Sequence, residues 1–394
     1  MQNTVAPERA LALESSRGGV RRAMQATALM FGGLGMLSGA WGVHVPSVKL
    51  AYGLDEWRLS WVLVAAALGA TSALWLAGRV IGRLGSRRSA RVCVLVLALV
   101  LALVLHLGAY PLALGAMVLF GAAMSVYDMA INTEAAALER VSGQPIMGRL
   151  HGCFSLGAMV GAALCSAMLA AGWTAGAQLL AVALPVAASA WWASGHWLAP
   201  LPQQGTQVAA HFAWPRGPLL VIGLLIFAGM GAEGAMYDWS VLYLQQEVGL
   251  PQARAAWGYA AFVGAMAAMR FGGDALRRRW SEPDLLAASG TVAALAMAVV
   301  LLTAHPVVAL IGYALVGAGL AMVVPLLYVA ASRVPGTTPA AAIAAASAIG
   351  YSGFLVGPPL IGAVAHGWGL DAALWLVVLS AAWLVLMAQR VRGA

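Results

Sequence analysis

Between Arg91 and Asp128 the chain reads VCVLVLALVLALVLHLGAYPLALGAMVLFGAAMSVY (residues 92–127), without one Asp, Glu, Lys or Arg. A helix crosses the hydrocarbon core of a bilayer with about 20 mostly apolar residues. The stretch is too long for one crossing, and His106-Leu107-Gly108-Ala109-Tyr110-Pro111 breaks it near the middle. Gly and Pro mark helix ends. The stretch therefore reads as two membrane-spanning helices joined by a short turn. A membrane β-barrel would alternate polar and apolar residues in units of about 10, and nothing here does.

The same reading extends in both directions. Charge-free intervals recur from Arg149 to Arg216 and from Asp284 to Arg333, with turns at Gly172–Gly176 and His305-Pro306. Twelve spans are expected, at about 24–48, 57–83, 89–107, 110–138, 146–171, 176–199, 217–246, 253–277, 284–304, 307–333, 338–366 and 370–390. Composition agrees: the 394 residues are 62% hydrophobic and 9% charged, where soluble domains carry about 25% charged residues. A water-soluble protein is excluded. Cys93, Cys153 and Cys165 lie in apolar stretches with no metal-ligand spacing, and read as buried free thiols.

The net charge of +8 would point to nucleic acid in a soluble protein. Here the basic residues sit in short clusters between apolar runs and set topology instead. Of the 22 Lys and Arg, all but Lys49, Arg58 and Arg254 fall on the side of the termini. That side is expected to be cytoplasmic, in a bacterial inner membrane. Residues 1–22 read as a disordered cytoplasmic tail, with no apolar run to make a cleavable signal. A Pro/Gln/Gly-rich cytoplasmic linker at 200–216 separates two halves of six spans, 23–199 and 217–394.

The halves echo one another. Gly78-Arg79-Val80-Ile81-Gly82-Arg83-Leu84-Gly85-Ser86-Arg87-Arg88 follows span two, and Arg270-Phe271-Gly272-Gly273-Asp274-Ala275-Leu276-Arg277-Arg278-Arg279 follows span eight. Both read as basic, glycine-containing cytoplasmic turns at equivalent places, as in transporters built from internal repeats. The pattern resembles the signature loop G-x-x-x-D-R-x-G-R-R of the major facilitator superfamily. The resemblance implies an all-α membrane protein of twelve helices in two pseudo-symmetric six-helix bundles. It also implies gating roles for Gly78, Arg79, Arg83, Gly85, Arg87, Arg88, Arg270, Gly273 and Asp274. Gly82 stands where the signature has its acid, so the first copy of that lock is incomplete. Four further segments, 131–140, 150–157, 232–239 and 354–359, are similar to a bacterial subgroup that includes a membrane protein linked to rhizopine catabolism. More distantly the chain is similar to fucose-permease-type sugar–proton symporters.

Acids inside spans are the sharpest functional signal. A charge at the centre of a span costs about 2.5–3.5 kcal/mol or more, so it persists where it faces a cavity or a partner. Four acids qualify: Asp128 and Glu134 in span four, Glu233 and Asp238 in span seven. The resemblance makes both spans cavity-lining, together with spans one and ten. Asn132 lies one turn from Asp128, and Tyr237 one turn from Glu233. Asp128 and Glu233 are the leading expectations for proton coupling or ligand contact, and a structural hydrogen bond is the plainer role for Asp128. Glu134 reads equally as an interfacial charge. Asp238, Tyr237 and the indole of Trp239 suit a polyhydroxylated or amine ligand, with an interfacial belt as the plainer role for Trp239. Trp41 and His44 in span one face the outer half, and His44 reads as a proton shuttle or a hydrogen-bonded mouth residue. Tyr328 and Pro325 would line span ten. In span eleven, Tyr351-Ser352-Gly353 and Pro358-Pro359 point to a kinked or broken helix.

There is no ATP-binding P-loop, no HExxH and no hydrolytic triad, so an enzyme is not expected, nor a metal or cofactor. The expectation is a monomeric secondary transporter that moves a sugar, inositol-like or related small polar solute by alternating access, coupled to protons. The alternatives are a drug/proton antiporter for amphipathic cations, and a non-transporting receptor or scaffold on the same fold. Partners are then the solute, protons and the bilayer, not nucleic acid.

Overall fold

The computed structural model describes residues 5–197 and 216–393, with the side chains of 5–17, Trp75, Asp274, Ala340 and 391–393 outside that description. The linker expected at 200–216 lies outside the described residues except for Arg216. Thirteen α-helices run in chain order: α1 Val5–Ala51, α2 Glu56–Leu84, α3 Ser86–Leu103, α4 Tyr110–Ser142, α5 Met147–Ala170, α6 Ala175–Ser194, α7 Pro218–Gln246, α8 Gln252–Arg277, α9 Glu282–Thr303, α10 Pro306–Leu320, α11 Val323–Ser332, α12 Pro339–Trp368 and α13 Leu370–Met387. No strand occurs among the described residues.

Ten segments among the described residues are long and apolar enough to cross a membrane, with α10 and α11 counting as one. The other two crossings are α3 and α8. The first carries Arg87, Arg88 and Arg91 in its 18 residues; the second carries Arg254 and Arg270. Each crossing shows the expected two faces. On α3, Val94, Leu97 and Leu101 are buried, while Leu95, Leu99 and Leu103, spaced by one turn, are exposed and present an apolar stripe toward lipid.

The contacts repeat between halves. In the first, α1 packs on α5 and α6, α2 on α4, and α3 on α4 and α6; in the second, α7 packs on α12 and α13, α8 on α10, and α9 on α10 and α13. Across the bundles, α5 meets α8, α12 meets α2, and α1 meets α7. Small residues allow the closest approaches, since no hydrophobic driving force separates helix from lipid. A Cβ on Gly157 of α5 would come within 2.0 Å of the Gly32 carbonyl of α1, so nothing larger fits there.

The structure departs from the sequence expectation in four places. Residues 5–22 continue helix α1 instead of forming a disordered tail. The break expected in span eleven falls in span ten: α12 runs through Pro358 and Pro359, whereas α10 and α11 part at Ala321 and Met322. Pro325 has no N–H to give the Ala321 carbonyl four residues back, which ends the ladder there. The basic turn at 78–88 is mostly helix. Gly78, Arg79 and Arg83 belong to the end of α2, Arg87 and Arg88 to the start of α3, and only Gly85, at φ 78°, turns the chain. Of the three free cysteines, Cys165 is buried but Cys93 and Cys153 are half-buried.

The end of the molecule opposite the termini is closed. There Ser166 donates to the Ala253 carbonyl at 2.7 Å, Gln246 to Glu56 at 3.2 Å, and Tyr259 to the Ser38 carbonyl at 3.3 Å, each bond joining the two bundles. Gly362 of α12 sits against Ser60 of α2 with no room for a side chain. Tyr351 of α12 is within electrostatic reach of Asp128 of α4 and is still 41% exposed.

Candidate functional site

Glu233 sits near the middle of α7, buried, on a helix whose neighbouring glycines at 229, 231 and 234 let α12 and α11 approach. Tyr237, one turn on, donates its hydroxyl to Glu233 Oε1 at 2.9 Å. Arg270 of α8 donates from Nη2 to the same oxygen at 3.2 Å, and the two side chains are only 17% and 11% exposed. From Nη1, Arg270 also reaches Ser155 Oγ of α5 at 2.8 Å. One guanidinium thus ties an acid of its own bundle to a hydroxyl of the other. His151, one turn before Ser155 on α5, lies within electrostatic reach of Arg270 and meets the Phe31 ring edge-on at 5.4 Å. Inside a membrane an acid and a base neutralise one another only at this kind of range.

A second polar group lies around Asp128 of α4. Asn132 donates from Nδ2 to the Asp128 main-chain carbonyl at 2.9 Å, and its amide lies within electrostatic reach of the Asp128 carboxylate. Opposite, Tyr328 of α11 associates with Ser347 and Tyr351 of α12. Among the described residues Asp128 has no cationic partner. Glu134, half a turn beyond Asn132, is buried.

The remaining expected residues divide. Asp238 is half-buried, within electrostatic reach of Tyr259, and makes no hydrogen bond or ion pair among the described residues. Trp239 is fully buried, so it is not an exposed belt residue here. Trp41 packs on Phe120 of α4 with centroids 5.8 Å apart. His44 is fully buried, between Ser47 and Gln178 of α6; it does not line the mouth. The face of α1 toward the other bundle is instead that of Ser38 and Gly42, which meet Tyr259.

The gating set changes most. Arg270 is not a loop cation but the buried partner of Glu233 described above, because α8 continues for two more turns to Arg277. Gly273 is likewise inside α8, packed on Met322 at the α10–α11 break. Arg87 donates to the Trp197 carbonyl at 2.7 Å, closing the end of α6 within its own bundle. Arg79, Arg83 and Arg88 are exposed, and the Asp274 side chain lies outside the described residues. Sequence reasoning placed Arg270 in a gating turn and missed Ser155 and Tyr259 as site residues. The available signal was His151 and Ser155, two polar residues one turn apart on a mostly apolar span.

A family model, the Major Facilitator Superfamily, matches residues 23–351. The chain belongs to the major facilitator superfamily. An uncharacterised MFS-type transporter of Yersinia pestis is 32% identical over 354 residues, 89% of this chain and 91% of that relative. The membrane protein MosC of Rhizobium meliloti is 32% identical over 360 residues, 91% of this chain and 88% of MosC. Among solved structures, the nucleoside transporter NupG superposes with a TM-score of 0.76 at 14% identity, covering 94% of this chain and 99% of NupG. The E. coli fucose:proton symporter FucP superposes at 0.63 and 17%, covering 93% of this chain and 98% of FucP. At such identities these structures speak for the fold alone. This major facilitator protein is accordingly a multi-pass membrane protein, with relatives named as an MFS-type transporter and as a membrane protein.

Proposed function

We propose that the protein is a proton-coupled secondary transporter of the bacterial inner membrane that moves a small, hydroxyl-rich solute, a sugar, an inositol or a related compound, by alternating access. The observation that carries this reading is the Glu233–Arg270 pair with its third contact at Ser155. Alternating access needs the two bundles to separate on each side in turn. A proton placed on Glu233 removes the charge that holds Arg270, and so loosens the bond that Arg270 makes across the bundles. Tyr237, Asn132, Tyr328 and Tyr351 supply donors and acceptors suited to hydroxyls. A fucose:proton symporter and a nucleoside transporter among the similar structures are in keeping with that chemistry.

Asp128, without a cation of its own, is the observation that favours the competing class, an organic cation. A thermal-shift screen of purified protein against sugars, inositols, nucleosides and cationic drugs separates the two. A solute present at 100 times its Kd stabilises by about 2.7 kcal/mol. Stabilisation by a neutral hydroxyl-rich solute, followed by its pH-gradient-driven uptake into proteoliposomes, supports the proposal. Stabilisation by cations alone overturns it.

The proposal includes both termini in the cytoplasm, from the one-sided distribution of Lys and Arg. A phosphatase reporter active only in the periplasm, fused after Ala394, should stay silent, and the same reporter placed between α1 and α2 should be active. The opposite pattern would invert the topology.

A further inference from the structure

The closed end is held by one set of contacts that can be followed atom by atom from deep in one bundle to the first turn of the other. Gln252 begins α8 and gives both Nε2 hydrogens to α1: one to the Val43 carbonyl at 2.7 Å, one to Ser47 Oγ at 2.9 Å. Pro46 lies inside α1 between these acceptors and interrupts its ladder, which opens main-chain carbonyls at this turn to outside donors. Ser47 Oγ lies 3.0 Å from His44 Nδ1, and His44 Nε2 lies 3.1 Å from Gln178 Oε1 of α6. Gln178 Nε2 donates to the Trp173 carbonyl at 2.9 Å.

With the imidazole neutral, the hydrogens in this chain have one consistent arrangement. A carbonyl only accepts, so Trp173 fixes Nε2 of Gln178 toward itself and turns Oε1 to His44. That oxygen also only accepts, so His44 carries its hydrogen on Nε2. Nδ1 of the neutral ring is then an acceptor, and the Ser47 hydroxyl donates to it. The lone pairs of Ser47 Oγ are thereby aimed at Gln252. His44 and Gln178 are both fully buried, and the chain of bonds ends on a main-chain carbonyl at each side. It is not a route for protons, which removes His44 from the shuttle role.

We propose that His44 is a positioning residue of a latch that closes the end opposite the termini: held as its Nε2–H tautomer by Gln178, it orients Ser47 to receive Gln252 of the other bundle. The latch breaks each time the bundles part at that end. It rests on the alternating-access part of the proposed function and on no solute, so it fails or stands without a substrate in hand.

Spin labels at Leu50→Cys and Glu247→Cys, exposed positions on the two bundles at this end, report the separation by pulsed electron paramagnetic resonance. The background replaces Cys93, Cys153 and Cys165 with alanine. Ser47→Ala, Gln252→Met and His44→Leu should each raise the long-distance population by about threefold or more, as one net hydrogen bond is lost. His44→Gln offers the same donor and acceptor and should restore the parent distribution. His44→Leu combined with Ser47→Ala should open no further than either alone. A shift in Ser47→Ala and Gln252→Met without one in His44→Leu overturns the role of His44, as does an additive double variant. No shift in any variant overturns the latch. If His44→Leu does not fold, Gln178→Met tests the same relay from α6, away from the interface, and an unshifted distribution there overturns it.

Discussion

Replacing Arg270 with methionine should destabilise the protein by about 3–5 kcal/mol, the usual loss when one partner of a buried ion pair is removed. Adding Glu233→Gln should return most of that loss. The reason lies in what each variant leaves behind. Without Arg270, Glu233 Oε1 keeps only the Tyr237 hydroxyl at 2.9 Å, and a carboxylate in the low-dielectric middle of a span is poorly solvated. An amide at 233 has no charge to compensate and can still accept from Tyr237. The measurement is equilibrium unfolding in detergent for the parent, the two single variants and the double. Losses that simply add would mean that Glu233 and Arg270 do not act as a pair. The exposed Arg333–Glu282 pair, at 2.9 Å with its arginine 63% exposed, is the control: breaking it should cost within about 1 kcal/mol.

That prediction depends on a residue whose sequence context is misleading, and the reason is physical. In a soluble helix the apolar stripe marks the core and fixes which way each residue points. In a membrane both the lipid face and the packed face are apolar, so crossings are easy to count and their rotation is hard to read. Charge-free intervals and Pro or Gly at their ends located the crossings to within a few residues. They did not say that Trp239 is fully buried, or that His44 faces α6. Arg270 carried a second ambiguity. It stands seven residues before Arg277, about 10.5 Å along a helix, and the glycines at 272 and 273 read as a turn. The structure keeps them helical, which moves Arg270 from the membrane surface to the level of Glu233. Depth was legible for Asp128 and Glu233 because a long uncharged run precedes each; partner choice was not, because the partner lies on another helix.

Asp128→Asn should abolish accumulation driven by a pH gradient while leaving exchange of solute intact. With one proton per solute, a gradient of one pH unit supports about tenfold accumulation, since one unit is 1.36 kcal/mol; the variant should stay near onefold. Asp128 is placed for this role by what it lacks. Glu233 has Arg270 and Tyr237 as donors, but Asp128 has Asn132 one turn away and the Tyr351 phenol within electrostatic reach. A carboxylate without a counter-ion at this depth is compensated by a proton or by a cationic ligand. Asparagine keeps the shape and the contact with Asn132, and cannot carry the proton. Exchange needs no net proton movement, so it separates the two roles. Loss of accumulation alone makes Asp128 a coupling residue beside Glu233. Loss of both accumulation and exchange assigns ligand contact to Asp128 and leaves coupling with Glu233 alone, where Glu233→Gln is the matching test. Unchanged accumulation in Asp128→Asn removes this residue from the transport cycle altogether.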